Sequence, residues 1–396
     1  MSLKDEIAQN PQAHKRRGPV WKGPEVDGVT FSLLSRFLSC RERFRVYALE
    51  GLTVRDGFNH RLEYGQMWHH CEEAIAGAEE FIADQSPVKK ILADNLWLAR
   101  LKDYANALCK RYPNQQDQVE HWYRVCKLQF PLYVDYWKQH PDTVRRKPLL
   151  QEEKFSVAYK LPSGRMVRLR GKWDSVDLVS KDEYLGQRVD GIRLQENKTK
   201  GDIDEARMHR QLKFDMQTGL YLTALTAYQQ EPKQYRLGGV GIPRAMPILG
   251  VRYNVVRRPL AGGKGTIRQH QPSKSNPQGE SKDAFYGRVA QYIKDEPSHF
   301  FMRWKVDVTP SDVEEFRKCT LDPILEQLCT WWDALSVFTD SRDIWDAPFN
   351  NIHWRHPYGL YNPMDQGLEG DVDEYLNTGS KLGLREIDNL FPELEE

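Results

Sequence analysis

The stretch Leu194–Lys200, LQENKTK, ends a strand-like run that begins at Gly191. Side chains alternate between the two faces of a β-strand, so Leu194, Glu196 and Lys198 share one face. An acid and a base at the end of such a face have two interpretations. They keep a surface strand soluble, or they place a metal ligand beside an ammonium group in a reactive site. The rest of the chain has to distinguish these interpretations.

The composition predicts a folded chain with an uneven distribution of charge. Of the 396 residues, 40% are hydrophobic and 29% are charged, which supports a packed core and argues against global disorder. The net charge of +1 indicates nothing about partners. Locally, residues 248–279 carry only basic charges, whereas acids dominate from Asp365 onwards. We therefore expect a basic edge that faces a polyanion, and an acidic tail.

The cysteines and the N-terminus predict a reduced, cytoplasmic protein. None of the six cysteines forms a Cys-x-x-Cys pair, and the N-terminus has no apolar signal core. Apolar runs stay well below the roughly 20 residues that span a bilayer. We expect a cytoplasmic location, in the host cytoplasm if the protein is viral, and no membrane partner.

The hydrophobic periodicity changes from helical to strand-like along the chain. Helical patterns begin at Phe31 and continue to about residue 140. A β-hairpin that turns at PSGR, a third strand in GIRLQENKTK and a long amphipathic helix over 204–229 follow. The later elements predicted are a strand GVRYNVVRRP, a helix AFYGRVAQYIKD, a strand FFMRWKVDVT and a helix from PSDVEEF to WWDALS.

This order predicts a mixed α/β fold with a helical N-terminal region. The predicted division of the chain is a polar flexible lead at 1–28, a helical part at 29–145, an α/β core at 146–338 with a basic loop at 260–281, and a loop-rich acidic tail at 339–396.

Asp174 and Asn197 can complete a metal site with Glu196. Asp174 follows Gly171 on the second strand of the hairpin, and pairing of that strand with GIRLQENKTK brings Asp174 against Glu196. Two carboxylates and the main-chain carbonyl of Asn197 are hard oxygen ligands, suited to Mg²⁺ or Mn²⁺. Such a site acidifies a bound water and neutralises charge on a phosphodiester, and an adjacent Lys198 stabilises that charge further.

Two helical pairs extend this set, and each has a structural alternative. Gln217 and Tyr221 lie four residues apart on one helical face, where they either pack in the core or point at a substrate backbone. Far upstream, His69 follows Gly65 by four residues. Imidazole is a common metal ligand, although a lone helical histidine is usually structural, and the adjacent His70 stays open as the alternative ligand.

Taken in order, these motifs resemble the PD-(D/E)xK nuclease superfamily in its RecB-like branch. The matching motifs are Gly-x-x-x-His (Gly65–His69), Gly-x-x-Asp (Gly171–Asp174), Glu-x-Lys (Glu196–Lys198) and Gln-x-x-x-Tyr (Gln217–Tyr221). The likeness spans about residues 30–335. It implies a restriction-endonuclease-like core, a mixed β-sheet flanked by helices, with a helical N-terminal region.

The resemblance also implies a role for each motif. The metal ligands that it implies are His69, Asp174, Glu196 and Asn197. The catalytic residues that it implies are Asp174, Glu196, Lys198, Gln217 and Tyr221. In this reading Lys198 is the catalytic lysine, and Gln217 and Tyr221 position either DNA or the active-site groups. Glu153 stays open between a second carboxylate near the metal and a surface residue.

The chain departs from some relatives of this branch in its cofactor and motor motifs. Several members hold an iron–sulfur cluster on one early and three late cysteines. Cys40 occupies the early position, but the tail PFNNIHWRHPYGLYNPMDQG has no cysteine, so we expect no cluster and a buried Cys40 thiol. The helicase P-loop motif does not occur in the sequence either. A helicase, a single-strand-binding protein or a recombination protein is therefore a candidate partner.

The basic loop is either a solvated insertion or a flexible flap that contacts phosphates. As a flap it would act through Arg257, Arg258, Lys264 and Arg268, because lysine and arginine contacts to phosphate give affinity without reading sequence. Replacing these four residues would then weaken DNA binding and flatten its dependence on salt.

Together these features predict a metal-dependent DNA nuclease, an exonuclease in recombination, repair or phage DNA metabolism. An endonuclease on the same core and a non-catalytic DNA-binding or assembly protein are the alternatives. Strand preference and polarity are left open, and both an oligomer and a partner-loaded monomer fit the sequence.

Overall fold

The computed structural model resolves the elements that surround the LQENKTK stretch. It describes residues 19–39, 41–54, 57–81, 87–141, 144–201, 203, 215–230, 242–259, 268–274, 277–334, 384–391 and 394. Cys40, Lys264 and most of the predicted acidic tail lie outside the described residues.

Helices dominate the first part of the described chain, as the periodicity predicts. These are α1 (Phe31–Ser39), α2 (Arg41–Ala48), α3 (His60–Phe81), α4 (Pro87–Arg111) and α5 (Gln116–Gln139). The later helices are α6 (Met216–Gln230), α7 (Lys282–Asp295), α8 (Pro297–Phe300), α9 (Pro310–Phe316) and α10 (Asp322–Ala334). A π-helical turn, Arg317–Leu321, joins α9 to α10.

The described residues form seven strands, five of which make one mixed sheet. The described strands are β1 (Leu52–Val54), β2 (Arg145–Lys160), β3 (Met166–Tyr184), β4 (Gln187–Lys200), β5 (Ile248–Arg257), β6 (Phe301–Asp307) and β7 (Leu384–Glu386). The large sheet has the order β2-β3-β4-β5-β6, in which only the β4–β5 pair is parallel. Parallel neighbours need a crossover connection, and α6 lies in the segment that joins β4 to β5. The predicted mixed α/β class is confirmed.

The two faces of this sheet bury separate apolar clusters. One cluster combines α1, α2, α6 and α10 with the face that carries Ile192 and Leu194. The second combines α3, α4, α5 and α7 with residues at the far ends of β5 and β6, such as Val256 and Phe301. Strand β4 therefore runs between two layers of helices.

One sequence prediction needs correction at this level. The described part of α6 is buried around most of its circumference, so it is not amphipathic; even the polar Thr218, Thr223 and Gln229 are buried. The tail contributes β7, which pairs with β1 in a separate two-stranded sheet. Neither short segment has enough residues to show a strand period by itself. Among the helices that the structure describes, none combines the length and apolarity needed to cross a membrane.

Gly250 occupies a bulge in β5 that aligns this strand with β4. The register runs from Ile192 opposite Ile248 to Arg193 opposite Gly250, which leaves Leu249 as an extra residue. Gly250 has a φ of 122°, and a Cβ there would lie 2.2 Å from the Val306 carbonyl oxygen. Only glycine fits this backbone without displacing β6.

We expect Gly250→Ala to lower the free energy of unfolding by about 2–4 kcal/mol, because the backbone strain and the overlap with β6 both act in the folded state. Gly287→Ala is the matched control. A Cβ at Gly287, in the middle of α7, would meet no atom within 4 Å. It should raise stability by about 0.5–1 kcal/mol through helix propensity. Urea unfolding measures both changes, and a harmless Gly250→Ala would contradict the bulge geometry.

Candidate active site

A break in the alternation of β2 shapes one side of the site. Leu150 and Phe155 both pack in the first apolar cluster, although residues an odd number apart lie on opposite faces of a regular strand. Between them, Glu152 has a φ of 48°, a conformation that is uncommon for a residue with a side chain. The strand therefore changes faces at Glu152.

Strand β3 changes faces at the opposite position. Trp173 and Val176 both pack in the same cluster, although they are three residues apart. The pairs on either side of the break, Gln151 with Ser175 and Glu153 with Trp173, align Glu152 with Asp174. Two carboxylates thus lie at the point where both strands leave regular geometry.

Asp174 is fixed to β4 by a main-chain hydrogen bond. The β3–β4 ladder ends in this direction at the pair Ser175 and Gln195. Beyond it, the Asn197 N–H donates to Asp174 Oδ2 at 2.7 Å. This bond places Asp174 beside Glu196, as the sequence analysis expected from strand pairing.

Helix α3 brings His69 to the two carboxylates. Its approach to β4 is close at Gly65, where a Cβ would lie 3.3 Å from Thr199 Oγ1. One turn later, His69 Nδ1 lies 3.8 Å from both Asp174 Oδ1 and Glu152 Oε1. One ligand atom from each of these three residues lies within 4.8 Å of the others.

The structure also separates the two histidines between which the sequence left a choice. His70 Nδ1 lies 3.9 Å from Glu73 Oε2, and its ring packs against Tyr104. Since consecutive helical residues point in different directions, His70 lies outside the group around Asp174. His69 is therefore the candidate ligand.

Glu152 is a site residue that sequence reasoning missed. The sequence leaves Glu153 open between a carboxylate near the metal and a surface residue, whereas the structure groups its neighbour Glu152 with Asp174 and His69. Glu152 Oε2 also forms an ion pair with Lys172 Nζ at 2.5 Å. A regular period-2 pattern does not indicate Glu152, because the break in alternation is not visible in the sequence.

Glu72 is a second acidic residue that was missed. Its Oε1 accepts hydrogen bonds from Tyr133 Oη at 2.7 Å and from Asn254 Nδ2 at 2.9 Å. Its Oε2 is buried and has no hydrogen-bond partner among the described residues. Glu72 follows His69 by three residues on α3, so helical spacing was the available signal.

Lys198 is held by two acceptors. Its Nζ donates to Glu196 Oε2 at 3.0 Å and to Gln217 Oε1 at 2.8 Å. Gln217 is in place because α6 begins at Met216, where Asp215 accepts the Thr218 N–H at 3.0 Å. An ammonium group has three N–H donors, so the described contacts leave one of them for a substrate.

Tyr221 supports this arrangement from the next turn of α6. Its hydroxyl hydrogen-bonds to the Gln217 side chain and the Lys172 backbone, and its ring packs edge-on against Phe155 at 5.4 Å. A Cβ at Gly171 would lie 2.6 Å from Phe155 and 3.0 Å from Tyr221. Glycine in the Gly-x-x-Asp motif therefore leaves room for both rings. Only 9% of the surface of Tyr221 is exposed.

Burial and mutual charge perturb the pKa values of the central groups. Burial raises the pKa of Glu196 to about 7, although the Lys198 charge acts against it. Burial alone would lower the pKa of His69, but Asp174 and Glu152 raise it to about 9. The pKa of Lys198 is also raised, because Glu196 and Asp174 outweigh its desolvation. Lys198 is therefore a positively charged ammonium group at neutral pH. It can donate hydrogen bonds, but it cannot act as a base.

The donor set fits a divalent cation of the hard class. Glu196 is 1% exposed, and its Oε1 has no hydrogen-bond partner among the described residues. A buried carboxylate oxygen without a donor is costly unless a cation compensates it. Carboxylate oxygens with one imidazole are ligands that Mg²⁺ and Mn²⁺ accept.

An open cleft of about 330 Å³ borders part of this group. Asp174, Glu152 and Asn197 line the cleft, whereas His69, Glu196 and Lys198 are not among its lining residues. Helices α3 and α5 form one wall, where the guanidinium of Arg303 stacks on Trp137 at 3.7 Å from the ring centroid. A ligand can therefore reach the carboxylates between the sheet and the helical part of the chain.

Of the four predicted phosphate-contacting residues, the three that the structure describes do not lie together in an exposed flap. Arg257 lies in β5 and donates to the carbonyls of His299 and Ile203, and the Arg258 side chain is buried. Arg268 is exposed, but its carbonyl accepts from Arg288 on α7 at 2.7 Å, so this part of the loop is tied down. Only their role in DNA binding stays a prediction.

Comparison with known families agrees with this geometry. A family model described as the PD-(D/E)XK nuclease superfamily matches residues 29–321, a range that contains every side chain of the site. No curated protein matches the sequence.

Metal affinity should rise with pH, because ligands must lose their protons before they coordinate. With pKa values of about 7 for Glu196 and about 9 for His69, the affinity for Mn²⁺ should increase from pH 6 to pH 9. In His69→Gln, the increase in Mn²⁺ affinity above pH 7.5 should be lost, whereas the increase between pH 6 and pH 7.5 should remain. Calorimetric titration at several pH values measures this, and a pH-independent wild-type affinity would contradict the assigned ligands.

Metal-free protein should show the opposite trend in stability. The pKa of His69 is raised above the value of ~6.5 expected for an unfolded chain, so its protonation stabilises the fold below that pH. This contribution is lost as pH rises through about 9. In EDTA, the melting temperatures of wild type and His69→Gln should converge as the pH rises to 9 or above. Parallel pH profiles would argue against the raised pKa.

Proposed function

The chain belongs to the PD-(D/E)XK nuclease superfamily, and we propose that it is a Mg²⁺- or Mn²⁺-dependent deoxyribonuclease. The observation that carries this proposal is the position of Lys198. Its ammonium is held between Glu196 and Gln217, next to the group formed by His69, Glu152 and Asp174. Family membership supports a hydrolase that acts on phosphodiester bonds.

In this proposal the metal ligands are Asp174, Glu196 and His69, with Glu152 and the Asn197 carbonyl beside them. A divalent cation here would supply positive charge opposite the phosphodiester and would acidify the attacking water. Glu196 would then have two tasks. Its Oε1, which has no hydrogen-bond partner among the described residues, would be available to the cation, and its Oε2 accepts from Lys198 at 3.0 Å.

Lys198 acts on the charge that develops on the phosphate. Its remaining N–H is directed by the two hydrogen bonds that it already makes, so no reorganisation is needed during the reaction. Gln217 keeps the lysine extended, and Tyr221 keeps Gln217 in place. Tyr221 thus contributes as a positioning residue, and Gln217 does so as well unless the substrate displaces it.

We further propose an exonuclease of the RecB-like branch that acts in recombination, repair or phage DNA metabolism. Asp174 and Glu152 line a cleft that has the sheet on one side and helices α3 and α5 on the other. A chain end enters such a cleft more readily than the middle of a closed duplex. A helicase, a single-strand-binding protein or a recombination protein would supply that end.

Purified protein should degrade linear DNA with Mn²⁺ or Mg²⁺ and should be inactive in EDTA. Lys198→Met should lower kcat by about 10²- to 10³-fold, the effect of removing one preorganised charge donor. End-labelled duplex, single-stranded DNA and covalently closed circles should be compared in a gel assay. Lys160→Met, an exposed lysine at the end of β2, is the matched control and should retain activity.

The other outcomes of this assay are equally specific. Cleaved circles would replace the exonuclease by an endonuclease on the same site. Cleavage that survives Lys198→Met would show that the assigned site is wrong. Salt-sensitive binding without cleavage of any substrate would support a non-catalytic DNA-binding protein on this fold.

A further inference from the structure

Arg258 is a buried cation without a partner for most of its guanidinium. Only 6% of the residue is exposed, yet its Nε and Nη1 have no hydrogen-bond partner among the described residues. Burying an arginine head group without acceptors costs several kcal/mol, because all of its hydration is lost. Such an arrangement persists in a protein when something outside the free chain completes it.

The surroundings of Arg258 increase its charge imbalance. Its main-chain N–H donates to the Lys200 carbonyl at 2.7 Å, and its side chain faces the first turn of α3. Burial lowers the pKa of Arg258, and the positive charge of Arg61 lowers it further. Burial also lowers the pKa of His60, and the positive charges of Arg258 and Arg61 lower it further. Four basic residues therefore repel one another at this point: His60, Arg61, Lys200 and Arg258.

Acidic compensation is weak in the described part of the chain. Asp215 is the one described carboxylate that acts on Lys200, and it already caps α6 by accepting from Thr218. Glu63, in the same turn of α3, accepts instead from Tyr104 and Tyr112. Among the described residues, the two acids nearest the cluster, Asp215 and Glu63, are thus both engaged with other partners.

The cluster lies next to the candidate active site. Lys198 and Lys200 point to the same side of β4, and two residues of a strand cover about 6.6 Å. A substrate backbone whose scissile phosphate contacts Lys198 would therefore present a neighbouring phosphate near Lys200 and Arg258. Guanidinium groups suit phosphate because they offer several N–H donors in one plane.

We propose that Arg258, with Lys200, Arg61 and His60, forms a phosphate-binding subsite for the substrate strand beside the catalytic centre. This inference rests on the proposed nuclease function and deepens it, because it gives the strand a direction, along the end of β4 towards the start of α3. The phosphate is either an internal phosphodiester or the terminal phosphate of a chain end. Both present the same anionic oxygens to the cluster.

If Arg258 belongs to such a subsite, its removal should stabilise the free protein. Arg258→Met removes an uncompensated buried charge and keeps an unbranched side chain, so the melting temperature in phosphate-free buffer should rise. The adjacent Arg257→Met is the matched control. Arg257 donates to the carbonyls of His299 at 3.0 Å and Ile203 at 3.1 Å, so its loss should lower the melting temperature. A lower melting temperature for Arg258→Met would overturn the proposal.

Binding of inorganic phosphate and of an oligonucleotide gives a second test of the same subsite. At constant ionic strength, inorganic phosphate should raise the melting temperature of the wild type, and this effect should be lost in Arg258→Met and reduced in Lys200→Gln. In EDTA, the Kd for an internally labelled single-stranded oligonucleotide should rise about tenfold or more in Arg258→Met. The slope of log Kd against log salt should fall by about one unit. Unchanged binding in both variants would overturn the proposal.

The source of the phosphate is distinguished by the ends of the oligonucleotide. Versions with a phosphate or a hydroxyl at each end are compared on wild type and Arg258→Met. If the subsite takes a terminal phosphate, only the version with that phosphate loses affinity in the variant; if it takes an internal one, all versions lose it alike. Because neither melting nor binding requires cleavage, an inactive protein that passes these tests would refute the nuclease and keep the subsite.

Discussion

The hydrogen bond from the Asn197 N–H to Asp174 Oδ2, at 2.7 Å, is the contact around which the site is organised. It connects β3 to β4 just past the last pair of their ladder, where both β2 and β3 have changed faces. Glu196 and Lys198 follow from it because they flank Asn197 on a strand that packs against helices on both sides. His69 follows because Gly65 allows α3 to lie close against the same strand.

The energetic consequence is that ionisable groups are buried at this site, although burial disfavours their charged forms. Glu196 is nearly fully buried with one oxygen unpartnered, and burial raises its pKa to about 7. Near Lys200, two nitrogen atoms of the buried Arg258 guanidinium, Nε and Nη1, have no hydrogen-bond partner among the described residues. Within the described part of the chain, the free protein therefore buries an acidic oxygen and a basic group that are both without a hydrogen-bond partner. A metal ion and a phosphodiester backbone have the charges that would satisfy both.

Local sequence patterns were sufficient for most elements and for the motif residues. The hairpin, the strand that ends in Glu196–Lys198 and the position of Gln217 on a helix all follow from short-range periodicity. Those patterns fail where long-range packing decides the outcome. Glu152 joins Asp174 and His69 at a backbone irregularity with a φ of 48°, which no residue pattern indicates. Arg258 belongs to a basic stretch in the sequence, but its side chain faces the first turn of α3, about 200 positions earlier. The pairing of β1 with β7 is non-local in the same way.

In the proposed function, Asp174, Glu196 and His69 hold a divalent cation beside Lys198. The most direct test is anomalous diffraction from a crystal of the protein grown with Mn²⁺. We expect a manganese peak in direct contact with Asp174 and Glu196, with the His69 imidazole in the same coordination shell. A well-occupied peak elsewhere in the molecule, with these three side chains free of metal, would contradict the account.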